Sequence, residues 1–144
     1  VEVNRIIDTV PHSRNESMAS FLRIVRICEE RGSGFDRMEE GMRDLTIPAP
    51  KVETGDDFTR TKLYWYDNLN GWKKDDKIRT CYLYTCYCYV NEIEVANAVL
   101  RERFGVEEKN KAIISRIIKD TIDAGFIKLS DENAAPKLRR YIPY

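Results

Sequence analysis

The chain has 144 residues, enough for one domain or two small ones, and its 24 basic and 24 acidic side chains cancel. Bulk charge therefore indicates no class of partner, and only the distribution of charge along the chain is informative. Residues 1–50 contain 7 basic and 9 acidic side chains, whereas Lys109–Tyr144 contains 8 basic and 4 acidic ones. The C-terminal end is the positive end.

Two further features concern the compartment. No apolar run approaches the roughly 18 residues of a membrane span, and no signal peptide opens the chain, so we expect no membrane association. Cys81, Cys86 and Cys88 lie within one apolar segment, which favours reduced, buried thiols and a cytoplasmic protein. A start at Val1 without Met predicts a fragment of a longer protein.

The first part of the chain predicts two helices and a strand pair after an extended lead-in over residues 1–10. Ser13 and Glu16 form a capping-box pattern, which predicts a helix running to Cys28. A second helix is predicted over Phe35–Leu45, and Pro48 stops it. The last prediction of this part is a strand pair over Lys51–Glu53 and Thr59–Tyr66, joined across Gly55.

A polar segment, Asp67–Lys74, is rich in Asn, Gly and charge and predicts a linker between two domains. The domains are then residues 1–66 and 75–144. A helix from Asp75 to Val90 is apolar nearly all round, which predicts the core helix of the second domain.

The rest of the second domain predicts helix, turn, helix and hairpin. Asn91 is a candidate cap for a helix ending at Gly105, and a three-residue turn leads into a helix ending at Gly125. Two short strands follow, around a turn-rich loop between Leu129 and Arg139. The predicted fold class is α+β, mainly helical, with a C-terminal winged helix-turn-helix after a small helix-helix-strand segment.

The outer face of the last helix and the base of the hairpin loop predict a DNA-contacting surface. Such a helix enters the major groove, its polar side chains contact base edges, and nearby cations hold phosphates. The candidates are Lys109, Asn110, Lys111, Ser115, Arg116, Lys119, Lys137, Arg139 and Arg140. The alternatives are a merely solvated charged face and a winged helix that serves as a protein-docking module or as a dimerisation module in a homodimer.

Gly32, Ser33 and Gly34 precede the second helix, where backbone amides can approach a phosphate. A helix stop followed by a tight turn explains the same residues, and no Walker lysine follows them. Catalytic and metal sites are not predicted: His12 is the only histidine, and Cys86-x-Cys88 lacks zinc-site spacing.

Eight short motifs together resemble bacterial RecG-related transcriptional regulators. They are Pro11–Glu16 (PHSRNE), Ile27–Gly34 (ICEERGSG), Leu45–Pro50 (LTIPAP), Leu100–Gly105 (LRERFG), Glu107–Asn110 (EEKN), Ser115–Lys119 (SRIIK), Ala124–Ile127 (AGFI) and Arg140–Pro143 (RYIP).

In that family an AlbA-type, Schlafen-like domain precedes a histidine-kinase-type ATPase-like region and a winged helix. The resemblance implies that residues 1–66 are the tail of the ATPase-like region and that Arg31–Gly34 corresponds to its glycine box. It further implies a non-enzymatic fragment of a transcriptional regulator whose partner is double-stranded DNA. ATP would be a cofactor only of the full-length protein, because the other elements of such a site lie upstream.

Overall fold

The structure, a computed structural model, describes residue 13 and residues 15–28, 34–65 and 68–144. It confirms the α+β class, with helices and two small antiparallel sheets in these ranges. The elements are α1 (Glu16–Ile24), α2 (Gly34–Asp44), β1 (Lys51–Thr54), β2 (Thr59–Lys62), α3 (Lys74–Val90), α4 (Asn97–Arg103), α5 (Lys111–Asp123), β3 (Ile127–Leu129) and β4 (Tyr141–Pro143). Single 3-10 turns stand at Leu69–Gly71 and Glu108–Asn110.

The main core is built around α3, as its apolar sequence predicts. This helix packs on α5 and β4, and α4 packs on α5. The buried members of the core are Trp72, Cys81, Tyr84, Cys88, Val95, Leu100, Phe104, Ile114, Ile117, Ile118 and Ile127. The Trp72 ring lies 5.6 Å from that of Phe104, although the sequence places Trp72 in a linker.

A second, smaller cluster joins α2 and the segment after it to α3. Phe35, Ala49 and Leu83 are buried together there. The backbone amide of Ala49 donates a hydrogen bond to Thr80 Oγ1 (2.9 Å), and Arg79 donates to the Ala49 carbonyl. Residues 34–54 therefore contact the helix that follows the predicted linker, and the division into two domains stays a prediction.

The predicted strand pairs are both present, and both are short. Lys51 pairs with Lys62 in the first hairpin, and Ile127 pairs with Pro143 in the second. Outside the named strands, an isolated antiparallel bridge joins Val95 to Tyr141, next to β4. Val95 therefore lies beside β4 as a one-residue third strand of the second hairpin.

Two helix starts were predicted wrongly. The cap of α1 is Asn15, whose side chain accepts a hydrogen bond from the Met18 amide, rather than the Ser13 box. Asn91 ends α3 instead of starting the next helix. The predicted helix over residues 91–104 shortens to α4 because Glu92 takes a positive φ of 57° and Val95 extends to pair with Tyr141.

The N-terminal helix differs from the others in its burial. No residue of α1 is buried against the described part of the chain, although its apolar side chains have helical spacing. The predicted inner positions Met18, Phe21 and Val25 are all exposed. The helix also ends at Ile24, earlier than predicted, and Arg26 takes a positive φ of 58° just after it.

Candidate nucleic-acid interface

The last helix, α5, owes its position to one apolar stripe. Ile114, Ile117, Ile118 and Thr121 are buried against the core, while Ile113, which was predicted to face inward, is 40% exposed. The helix ends as predicted: Gly125 takes φ 76°, a backbone conformation that glycine adopts without strain, and its amide donates to the Ile122 carbonyl. The opposite face of α5 is left for solvent.

A groove of about 570 Å³ runs between α4, α5 and the loop 130–140 of the second hairpin. Its described lining is Ala96, Asn97, Ala98, Lys111, Ser115, Ile118, Lys119, Ile122, Pro136, Lys137, Arg139 and Tyr141. Five of the nine predicted DNA-contacting residues thus meet in one place, four of them cationic. No carboxylate is among these lining residues, so the groove is locally positive although the chain is neutral.

Asn97, at the start of α4, is a groove residue that the sequence analysis missed. Its Nδ2 donates to Ser115 Oγ (3.2 Å), and Ser115 Oγ donates to the Lys111 carbonyl (3.2 Å). The first of these bonds links α4 to α5 beside the groove, and the second lies within α5. The wrong start assigned to this helix hid the residue, because Asn97 fell within a predicted helix interior.

The acidic residues of α5, Asp120 and Asp123, do not line the groove. Asp120 pairs with Lys74 of α3 (2.9 Å) and does not line the groove. Its charge is therefore balanced by a cation that was not counted among the DNA-contacting candidates.

The remaining four candidates lie outside the groove. Lys109 pairs with Glu107 (2.6 Å), and Arg140 pairs with Glu94 (2.9 Å), so both cations already have a carboxylate partner. Asn110 is the residue before α5 and makes no side-chain cap bond there. Arg116 is exposed on α5 but does not line the groove.

The predicted phosphate-facing turn is described only at its end. Gly34 is the first residue of α2, and a Cβ placed there would meet no atom within 4 Å. Gly32 and Ser33 lie outside the described residues, as does His12.

The cysteines of α3 are buried. Cys81, Cys86 and Cys88 are buried thiols that form no disulfide, as predicted, whereas Cys28 is exposed. Burial raises the pKa of the Cys81 thiol to about 12 and that of Cys88 to about 11, which disfavours the reactive thiolate. Within the described ranges no group of three His, Cys, Asp or Glu residues is placed to hold a metal ion, and no helix is long and apolar enough to cross a membrane.

A buried ion pair joins α2 to α4, and the sequence did not predict it. Glu39 of α2 and Arg103 of α4 both have fully buried side chains, with Arg103 Nε donating to Glu39 Oε1 at 2.9 Å. Arg103 Nη1 also donates to the Ile47 carbonyl (3.2 Å). Burial raises the pKa of the Glu39 carboxyl, and the charge and hydrogen bond of Arg103 oppose that shift. Helical periodicity predicts that Arg103 faces outward, whereas the structure buries it.

Comparison with known proteins identifies one family. Residues 1–63 match the model of the family described as "Putative ATP-dependent DNA helicase recG C-terminal". This part of the chain is therefore similar to a RecG-related, ATPase-like segment, as the resemblance implied. No curated protein and no solved structure matches the chain.

Proposed function

We propose that residues 74–144 form a winged helix that binds duplex DNA through the groove between α4, α5 and the loop 130–140. The order helix, single bridging residue, helix, helix and hairpin supports this fold, because Val95 supplies the short edge strand beside β4. In this arrangement α5 is the helix that enters the major groove.

The observation that carries the proposal is the composition of the groove. Lys111 and Lys119 on α5 face Lys137 and Arg139 on the loop, without a carboxylate among the lining residues. Cations on α5 and on the loop can neutralise backbone phosphates, and each neutralised phosphate releases counterions. Ser115 lies between Lys111 and Lys119 along α5, and Asn97 of α4 bonds to it; both residues supply groups that can hydrogen-bond base edges.

The test is the salt dependence of binding to duplex DNA, measured by fluorescence anisotropy. For Lys111→Ala with Lys119→Ala, and separately for Lys137→Ala with Arg139→Ala, we expect weaker binding. The slope of log K against log salt should fall by about 1.8 for each pair, since each phosphate contact contributes about 0.9.

The matched control replaces two exposed cations that do not line the groove, Arg37→Ala with Lys62→Ala, and should leave affinity and slope unchanged. Binding that does not depend on salt, or that all three double variants share equally, would contradict the proposal. The role within a transcriptional regulator follows only if the wild-type chain prefers particular sites among random duplexes.

A second candidate function is self-association through α1. Its support is the exposed apolar side chains of that helix, of which Ile24 is 79% exposed. Light scattering that shows a monomer at all concentrations would exclude this function. A third candidate, nucleotide binding near Gly34, is supported only by the family match over residues 1–63. It predicts thermal stabilisation by millimolar ATP with magnesium.

A further inference from the structure

The buried pair Glu39–Arg103 connects three parts of the chain. Glu39 belongs to α2, Arg103 is the last residue of α4, and the Ile47 carbonyl that Arg103 also contacts lies between α2 and β1. The segment that matches the RecG-related family is thus bonded directly to a helix that forms one wall of the groove.

Helix α4 connects this ion pair to the groove. With seven residues the helix is about 10 Å long, at about 1.5 Å per residue, and it is held at both ends. Arg103 fixes one end, and Asn97 at the other end bonds to Ser115. The turn after α4 also packs closely against Thr46. Gly105 has φ 61°, and a Cβ at this position would lie 2.9 Å from Thr46 Cγ2.

Stability alone is a poor explanation for this pair. Replacing a buried ion pair by apolar side chains of similar volume is often neutral or stabilising, because two charges no longer need to be desolvated. Glu39 Oε2 and Arg103 Nη2 have no hydrogen-bond partner among the described residues, so the pair is not even fully satisfied. What the pair does supply is direction, because a guanidinium bonds in fixed geometry.

We infer that Glu39 and Arg103 are positioning residues: they hold α4 at the distance from α5 at which the groove accepts duplex DNA. DNA affinity then depends on the position of α2, which belongs to the ATPase-like segment. This inference rests on the proposed DNA binding, but its structural part can be measured without DNA.

The test compares the wild-type chain with the double variant Glu39→Leu, Arg103→Met, which keeps the site apolar and filled. We expect the urea midpoint to stay at or above the wild-type value. Amide hydrogen exchange within Asn97–Arg103 should become about tenfold faster, while exchange in α5 stays unchanged. The dissociation constant for duplex DNA should rise about tenfold with the same salt slope, because the groove cations remain.

The matched control removes an exposed ion pair, Glu53 with Arg60, in the variant Glu53→Leu, Arg60→Met. It should change neither exchange in α4 nor affinity. A double variant at 39 and 103 that retains wild-type exchange and affinity overturns the inference, and so does faster exchange spread evenly over α3, α4 and α5.

Failure of DNA binding and failure of the double variant to fold have different consequences. If the wild-type chain does not bind duplex DNA, the proposed function fails, and exchange in α4 alone decides the positioning role. If the double variant does not fold, Glu39→Gln is used instead, since it keeps the volume and one acceptor oxygen. Its α4 amides should exchange faster than those of the wild-type chain, while exchange in α5 stays unchanged. Exchange in α4 at the wild-type rate overturns the inference.

Discussion

Two amphipathic helices of this chain, α1 and α5, have similar sequence patterns and opposite surroundings. On α5 the apolar stripe is buried, with Ile114 fully so and Ile117 only 4% exposed. On α1 the corresponding side chains are exposed, and Ile24 at its end is 79% exposed. The pattern thus predicts where a helix forms and which face is apolar, but the partner for that face comes from distant parts of the chain.

Residues 34–54 stand between these extremes. They contact the core of residues 74–144 through one small apolar cluster and through hydrogen bonds to Thr80, Arg79 and Arg103. Directional hydrogen bonds accompany a small apolar cluster here, whereas α3 and α5 share the larger apolar core.

The largest effect should come from equal truncations in the two helices. Ile114→Ala removes a fully buried side chain and should lower the free energy of unfolding by about 2–5 kcal/mol, through lost burial and a cavity. Ile24→Ala should change it by less than about 0.5 kcal/mol. Urea denaturation measures both values, and equal losses would show that α1 has a buried partner in solution.

An intermediate effect is expected where residues 34–54 meet α3. Thr80 Oγ1 accepts from the Ala49 amide and donates to the Asp76 carbonyl. In Thr80→Val the buried amide loses its acceptor, which should cost about 1–3 kcal/mol in urea denaturation. Thr85→Val is the control, because Thr85 is equally buried but its hydroxyl only donates, to the Cys81 carbonyl. An equal or larger loss for Thr85 would argue against this contact.

The smallest effect should be acid sensitivity at Asp76. Burial alone would raise the pKa of this carboxyl, but hydrogen bonds from Arg79 and Tyr64 outweigh burial and lower the pKa below 3.8. A depressed folded-state pKa stabilises the fold above the unfolded value, and that stabilisation is lost as pH falls through the folded value. Asp76→Asn should therefore cost up to about 1 kcal/mol at pH 7 and progressively less below pH 4. The exposed neighbour Asp75→Asn is the control, and a penalty for Asp76→Asn that does not shrink with acid would contradict the assignment.

Much of the fold could be predicted because local signals coincide with it. The apolar circumference of α3, the stripe and Gly125 stop of α5, and the strand-turn-strand order of both hairpins each follow from nearby residues. The start of α4 could not be predicted, because Val95 takes an extended conformation only through its bridge to Tyr141, 46 residues away.

The candidate site, too, could be predicted only in part. Lys111, Ser115 and Lys119 share a helical face, so their grouping follows from spacing alone. Their meeting with Lys137 and Arg139 depends on how the hairpin packs against the helices. Lys109 and Arg140 looked equally available in the sequence, yet each pairs with a carboxylate. Glu107 is close to Lys109 in the sequence, whereas only the fold brings Glu94 to Arg140.

The fully buried side chain of Arg103 also has a consequence for gene rearrangement. A recombination event that broke the chain within residues 67–74 would transfer a guanidinium into a new protein without the carboxylate of Glu39. Such a product would carry an uncompensated charge in its interior, a defect that costs about 3–5 kcal/mol. A portion of this gene that carries Arg103 into another protein therefore also needs α2, the helix that carries Glu39.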